Sequence, residues 1–189
     1  MNGGKKMYTL EVREDTIRIP AEYIREGQSL SQHVDRLAHQ AFEGKFDDDD
    51  NFVIVTYDHE MIGRGRIIHG DGAIYQNVRF KAVLFRLDSN EIVDGAVSEV
   101  LEFGAFVQIG PLEGLLHKSQ ILEEPVQINQ NEGKITGSRS GSQLSIADPL
   151  RSRVVTLSLN THDPRSSKIG LTCKQPGLGA HEWLVNGGE

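Results

Sequence analysis

Four consecutive carboxylates, Asp47–Asp50, are the first place in this sequence to look for metal chemistry. Adjacent residues in a turn point different ways and no other ligand cluster lies near them, so the run reads as a solvated turn. Cys173 is the single cysteine. It can form no internal disulfide and no four-thiolate metal site, and it reads as a small buried strand residue. His33, His39, His59 and His69 fall in different segments and read as separate surface or core residues rather than a cluster. With no phosphate-cradling Gly-rich loop, nucleophile elbow or metal-ligand run, neither a cofactor nor a metal is expected. What remains is aromatic. Phe103 and Phe106 flank the small pair Gly104-Ala105, and His117 follows in the next segment. Flat rings on a sheet stack with unpaired nucleobases, at about 1–3 kcal/mol per base and with little regard to sequence.

Those rings need a sheet that turns them outward. Glu91–Val100, Leu101–Gly110, Leu112–Ile121, Val154–Leu159 and Lys168–Thr172 read as five short strands separated by turn signals. Five strands of this length suit a small closed barrel, with Gly95 and Gly104 at its bends. A bulge or strong twist at Gly104 would bring Phe103 and Phe106 onto one outer face. Two readings stand for each residue: the phenylalanines line the core or stack on bases, and His117 is a hydrogen-bonded structural residue or part of the base platform. Lys118, Arg151, Arg153 and Lys168 are phosphate-contact candidates whose alternative is ordinary solvated charge. Between the third and fourth strands lies an insert, Leu122–Leu150, read as a hairpin around Gln127–Lys134 followed by a mobile loop, Gly137–Gln143, with disorder as the alternative.

The first half differs in pattern. Met7–Ile19 alternates as a half-buried strand, Pro20 opens a short helical piece over Ala21–Ile24 closed by Gly27, and Leu30–Phe42 has helical spacing with Ser29 as its N-cap. Asn51–Asp58, Arg64–His69 and Tyr75–Leu87 read as strands. In the last, Val78, Phe80, Ala82 and Leu84 share one face, and Asn77, Arg79 and Lys81 the other. The fold class is therefore an α+β N-terminal domain (1–86), a small antiparallel sheet with a helix. An all-β barrel follows over 87–184 with its insert at 122–150, then a tail at 185–189. The turn Gly70-Asp71-Gly72 is a docking candidate, because exposed turns on a rigid sheet are free to meet a partner.

Composition narrows the setting. Hydrophobic residues make up 38% and charged residues 25%, with 20 glycines and a net charge of −7. An acidic chain has no global attraction to a polyanion, so nucleic-acid contact must be local. One Lys or Arg stands against eight Asp and Glu over residues 87–124, but seven stand against three over 125–176, which favours a basic face in the second half. No apolar run approaches the length of a membrane span, and a cytoplasmic protein without membrane contact is expected.

Several residues carry a resemblance. Gly95 and Val97, then Phe103-Gly104-Ala105-Phe106-Val107, then Gly114-Leu115-Leu116-His117 with Ser119 and Ile121 resemble the S-one RNA-binding domain, a module of the OB-fold barrel type. The resemblance implies that Phe103, Phe106 and His117 face RNA, with Lys168 as the basic residue before the last strand. Adding Ile17-Arg18-Ile19-Pro20, Gly63–Ile68 running into Gly70–Tyr75, and the ending Lys174–Gly179 with Glu182-Trp183, residues 7–184 resemble the E-prime stalk subunits of archaeal-type RNA polymerase, counterparts of the seventh subunit of eukaryotic polymerase II. That family implies a non-catalytic subunit that pairs with the small F subunit of RNA polymerase, docks its N-terminal tip on the polymerase core near the clamp through Gly70–Gly72 and Tyr75, and touches nascent single-stranded RNA. Three rivals stay open: a free-standing translation or RNA-decay factor, a metal-dependent enzyme using Asp47–Asp50 or the scattered histidines, and a purely structural adaptor.

Overall fold

The computed structural model describes residues 6–23 and 30–186, and the chain divides into two compact units between Arg86 and Leu87. Ile24, Gly27 and Ser29, assigned roles by sequence, lie outside the described residues. No helix among the described residues is long and apolar enough to cross a membrane.

In the first unit, β1 (Tyr8–Ile19) is followed by a single 3-10 turn at Ala21–Tyr23, helix α1 (Ser31–Phe42), β2 (Phe52–Ile67) and β3 (Ile74–Phe85). β3 is central and pairs antiparallel with both neighbours. Val78, Phe80, Ala82 and Leu84 are buried while Asn77, Arg79 and Lys81 are exposed, as period-two alternation requires. Helix α1 lays Val34, Leu37 and Ala38, one stripe at helical spacing, onto that face. The Phe42 ring stacks on Phe80 with centroids 4.6 Å apart. Leu30 occupies the N-cap position with no side-chain cap bond.

Two sequence expectations are corrected here. Asn51–Asp58 and Arg64–His69 are not separate strands but parts of the single β2, which crosses the irregular middle through register shifts at Val53/Val55, Tyr57/Glu60 and Ile62/Arg66, with positive φ at Asp58 and Gly63. Bulges absorb out-of-period residues that on paper look like a loop. The second shift also turns His59 inward, so it does not stand apart from the other histidines. Its side chain is 1% exposed and its ring centroid lies 5.0 Å from that of His39. His59 Nδ1 contacts Asp35 at 2.9 Å and Nε2 contacts the Thr56 hydroxyl at 3.0 Å. Thr56 also donates its backbone N–H to Glu43 at 2.6 Å. Burial pushes the Glu43 carboxyl up, but the bonds from Thr56 and His39 outweigh it and leave the group below its ordinary value. This polar network ties α1 to β2.

The second unit begins with β4 (Ile92–Leu101), β5 (Gly104–Ile109) and β6 (Leu112–His117), then a 3-10 turn at Lys118–Gln120. After them come β7 (Val126–Asn129), β8 (Lys134–Gly137), β9 (Gln143–Ser145) and β10 (Pro149–Ser158). A 3-10 turn at Pro164–Ser166, β11 (Lys168–Thr172), β12 (Gly179–Ala180) and α2 (His181–Asn186) complete it. The main sheet runs β11-β6-β5-β4-β10-β12, and the β10–β11 pairing closes β4, β5, β6, β10 and β11 into a five-stranded barrel. Val97, Val107, Ile109, Leu116, Leu150, Val154 and Leu171 fill it. β10 starts at Pro149, inside the expected insert, because the buried Ser152 hides its alternation from a hydropathy reading.

The insert is a three-stranded meander, β7-β8-β9, not a hairpin with a mobile loop. Glu124 organises the loop after β8: its carboxylate accepts from the backbone N–H of Arg139 and Ser140 and from the Ser140 hydroxyl. The Ser140 bond comes first among the causes that hold this carboxyl below its usual range. The segment around Trp183 is fastened too. Trp183 Nε1 donates to the Gln143 carbonyl at 3.0 Å, and α2 runs two residues past the boundary expected at 184. Leu116→Ala should lower stability by about 2–5 kcal/mol because it empties the barrel centre, whereas the half-exposed Val155→Ala should stay within about 0.5 kcal/mol, both read by urea denaturation.

Candidate nucleic-acid interface

β5 and β6 pair without interruption from Gly104↔His117 to Ile109↔Leu112. Alternation sends Ala105, Val107, Ile109 and Leu116 into the barrel and leaves Phe106, Leu115 and His117 outside. Phe103 arrives differently. It occupies the two-residue turn Glu102-Phe103 between the paired residues Leu101 and Gly104. Neither turn residue has positive φ, and Gly104 takes φ +153° instead. A Cβ on Gly104 would lie 2.3 Å from the Leu116 carbonyl oxygen, so only glycine lets the turn close on β6. The bulge expected at Gly104 lies instead on β4, between Val97 and Glu99.

The two rings meet edge to face, 6.5 Å between centroids and 90° between planes. Phe103 is 43% exposed and Phe106 is half-buried. Perpendicular rings cannot clamp one base between them, so each offers its own stacking surface, the larger on Phe103. Lys118 donates its backbone N–H to the Phe103 carbonyl at 2.8 Å, which joins the turn to the end of β6. His117 Nδ1 accepts from the Ser119 backbone N–H at 3.2 Å. In the neutral ring the proton then sits on Nε2, the free donor. Lys168 lies on β11 two residues before Gly170, which pairs with Leu115, so it shares the outer face of these strands. Phe103, Phe106, His117, Lys118 and Lys168 thus gather on one side of the barrel.

Arg151 and Arg153 do not join them. Both lie on β10, where Arg151 grips Asp94 with bonds of 2.8 and 3.0 Å and Arg153 Nη1 donates to the Asn90 carbonyl at 3.2 Å. Arg151 raises no free positive potential, since its partner is held ionised by that bond and by His181. Lys174 lies 3.9 Å from Glu123. Of the cations expected to form a basic face over residues 125–176, Arg151 and Lys174 therefore carry an acidic partner. Lys118 and Lys168 are the ring-side cations without an ion pair among the described residues, and Glu99 and Glu102 border the rings.

The first unit has its own candidate surface. Arg18 pairs across β1 and β3 with Tyr75, and its guanidinium holds Asp71 by two bonds of 3.0 and 2.7 Å while the Tyr75 hydroxyl donates to the same carboxylate at 2.6 Å. Gly70 and Gly72, with φ of 95° and 67°, bend the turn so that Asp71 can reach back. This clasp brings Gly70, Asp71, Gly72 and Tyr75 together and presents Ile67 and Ile68, which are 73% and 51% exposed. Sequence reasoning missed Arg18 as the clasp and both isoleucines. The alternation of β1, which sets Arg18 outward between Ile17 and Ile19, was the available signal for the first. Asp47, in the acidic turn, accepts from Arg13, Asn51 and two backbone N–H groups, so its carboxylate closes a loop. No group of three or more His, Cys, Asp or Glu among the described residues is arranged to hold a metal.

Comparison with known proteins settles the family. The DNA-directed RNA polymerase subunit Rpo7 of Sulfolobus acidocaldarius is 32% identical over 178 residues, covering 94% of this chain and 95% of that one. The chain belongs to the Rpo7 family of RNA polymerase subunits. Rpo7 of Saccharolobus solfataricus is 31% identical over 95% of this chain and 98% of its own. The yeast DNA-directed RNA polymerase II subunit RPB7 is 34% identical over 101 residues, 53% of this chain and 57% of that subunit. The S1 RNA binding domain family matches residues 86–157, from the last residue of the first unit to within one residue of the end of β10. Rpo7-type chains are non-catalytic subunits of an archaeal-type polymerase.

The clasp of this Rpo7-type chain makes a pH prediction. Hydrogen bonds from Arg18 and Tyr75 hold the Asp71 carboxyl at about 2, against an ordinary value near 3.9. A depressed carboxyl stabilises the folded loop above about pH 4 and loses that contribution as pH falls through about 2. NMR titration should find Asp71 ionising near pH 2, and Arg18→Gln should return it toward 4.

Proposed function

We propose that the chain is the stalk subunit of its polymerase. In this role it pairs with the small F subunit, docks on the polymerase core near the clamp through the Gly70–Gly72 turn with Tyr75, and contacts nascent single-stranded RNA during initiation, elongation and termination. The observation that carries the reading is the outward cluster of Phe103, Phe106 and His117 beside Lys118 and Lys168. Such a surface takes unpaired bases on its ring faces and phosphates on its two free cations. A duplex, whose bases are already stacked on each other, offers it little.

An open sheet face supports the protein contacts. On the side of the first unit's sheet away from α1, Leu10 and Val55 flank Val83, and Val12 and Tyr57 flank Lys81. Leu10 and Val12 are 60% and 63% exposed. Apolar side chains aligned in this way on one surface favour a protein partner over water. The exposed Ile67 and Ile68 suit a second, smaller apolar contact at the tip. Arg151 and Arg153 take no part in RNA binding in this reading, because Arg151 is paired with Asp94 and Arg153 is turned to the Asn90 carbonyl.

The test uses the full chain together with the F subunit. Phe103→Ala with Phe106→Ala should weaken binding of single-stranded RNA by about tenfold or more, as loss of stacking worth about 1–3 kcal/mol per base requires, while the F subunit still co-purifies with the variant. Arg151→Gln should leave RNA affinity within about twofold. Unchanged RNA affinity in the double phenylalanine variant would remove the barrel face from the RNA path.

A further inference from the structure

The insert sheet has two unlike faces. Ile128, Ile135 and Leu144 stand opposite one another on one, with Ile135 and Leu144 buried. On the other, one cross-strand row reads Gln127, Thr136, Gln143 and the next reads Asn129, Lys134, Ser145. Five of these six side chains are uncharged hydrogen-bonding groups, whereas a face that only has to meet water normally mixes charges of both signs. The β7–β8 part of it lines a groove of about 580 Å³ whose lining also includes Glu102. Glu102 is the neighbour of Phe103 in the two-residue turn, so the groove begins where the ring cluster ends.

Resting on the RNA contact proposed above, we infer that this groove receives one unpaired nucleobase edge-on, next along the strand from a base stacked on Phe103, and that it favours adenine and cytosine over uracil. The amides of Gln127, Asn129 and Asn131 and the Thr136 hydroxyl offer donors and acceptors side by side, the pattern that matches a base edge. Glu102 and Glu132 line the same groove and can only accept. Carboxylates there repel phosphate, which keeps the backbone on the side of Lys118 and Lys168. They accept from the exocyclic amino groups of adenine and cytosine and oppose the carbonyl rim of uracil. Two carboxylates against the single Lys134 also make this a poor phosphate site, so a base edge is the part of RNA that fits.

Fluorescence anisotropy of the full chain with short labelled oligo(A), oligo(C) and oligo(U) tests it. The wild type should bind oligo(A) and oligo(C) about fivefold or more tighter than oligo(U). Glu102→Gln and, separately, Gln127→Ala should each bring that ratio down toward one. Phe103→Ala should weaken all three alike. Equal binding of the three by the wild type, or a ratio that survives both groove substitutions, overturns the groove assignment and leaves the stacking face standing. Absence of binding to any of them by the wild type overturns both. Each substitution stands alone on an exposed side chain, so circular dichroism spectra should match the wild type and read a true loss of contact.

Discussion

Where β5 lies against β6, a missing side chain fixes what faces in and what faces out. Gly104 packs with its Cα against the Leu116 carbonyl, and any Cβ would overlap that oxygen. The close approach starts a register that runs unbroken to Ile109↔Leu112. A slip of one residue would turn Val107, Ile109 and Leu116 into solvent and drive Phe106 and His117 into the core. Burying those three aliphatic side chains is worth several kcal/mol by area, at about 25 cal/mol per Å². The stability of the barrel and the outward placement of the rings are therefore one constraint, and the ring face needs no separate device to hold it.

Sequence showed strands wherever alternation was clean. β3 and β11 could be read almost to the residue, since Val78 to Leu84 and Ile169 with Leu171 follow period two. It failed where the period breaks for tertiary reasons. β2 looked like two strands because its bulges place residues out of phase, and β9 looked like a loop because only Leu144 in Gln143–Ser145 is apolar. Phe103 and Phe106 were visible as a spaced pair flanking small residues. That Phe103 reaches the outer face from a turn was not, because it follows from the φ of Gly104 and the Leu101↔Gly104 pairing. His39 and His59 gave no hint of contact, being brought together by a bulge at Asp58.

Charge was least legible of all. Counting residues suggested a basic second half, but pairing redistributes the charge: Arg151 finds Asp94, 57 residues away in sequence, and Arg153 turns its guanidinium to the Asn90 carbonyl. Composition cannot say which opposite charges will become neighbours across a barrel seam. The consequence is functional. With two free lysines beside the rings and carboxylates at the border, the RNA contact proposed here would release few counterions, so its affinity would come mainly from stacking and fall only gently with salt.

The two units expose different chemistry, and the difference separates their partners. In the first, aliphatic side chains line an open sheet face, and a clasp of Arg18, Asp71 and Tyr75 holds a turn bearing two isoleucines. Such surfaces are stabilised by a dry contact with another protein. In the second, the exposed apolar groups are rings with cations and an imidazole donor beside them, and the insert adds amides rather than aliphatics. A protein partner would gain little from edge-to-face rings bordered by uncompensated lysines, whereas an unpaired base uses the flat ring, the donor and the cation at once. In the proposed function the chain thus divides its work by side-chain type: aliphatic surface for assembly in the first unit, aromatic and amide surface for a strand of nucleic acid in the second.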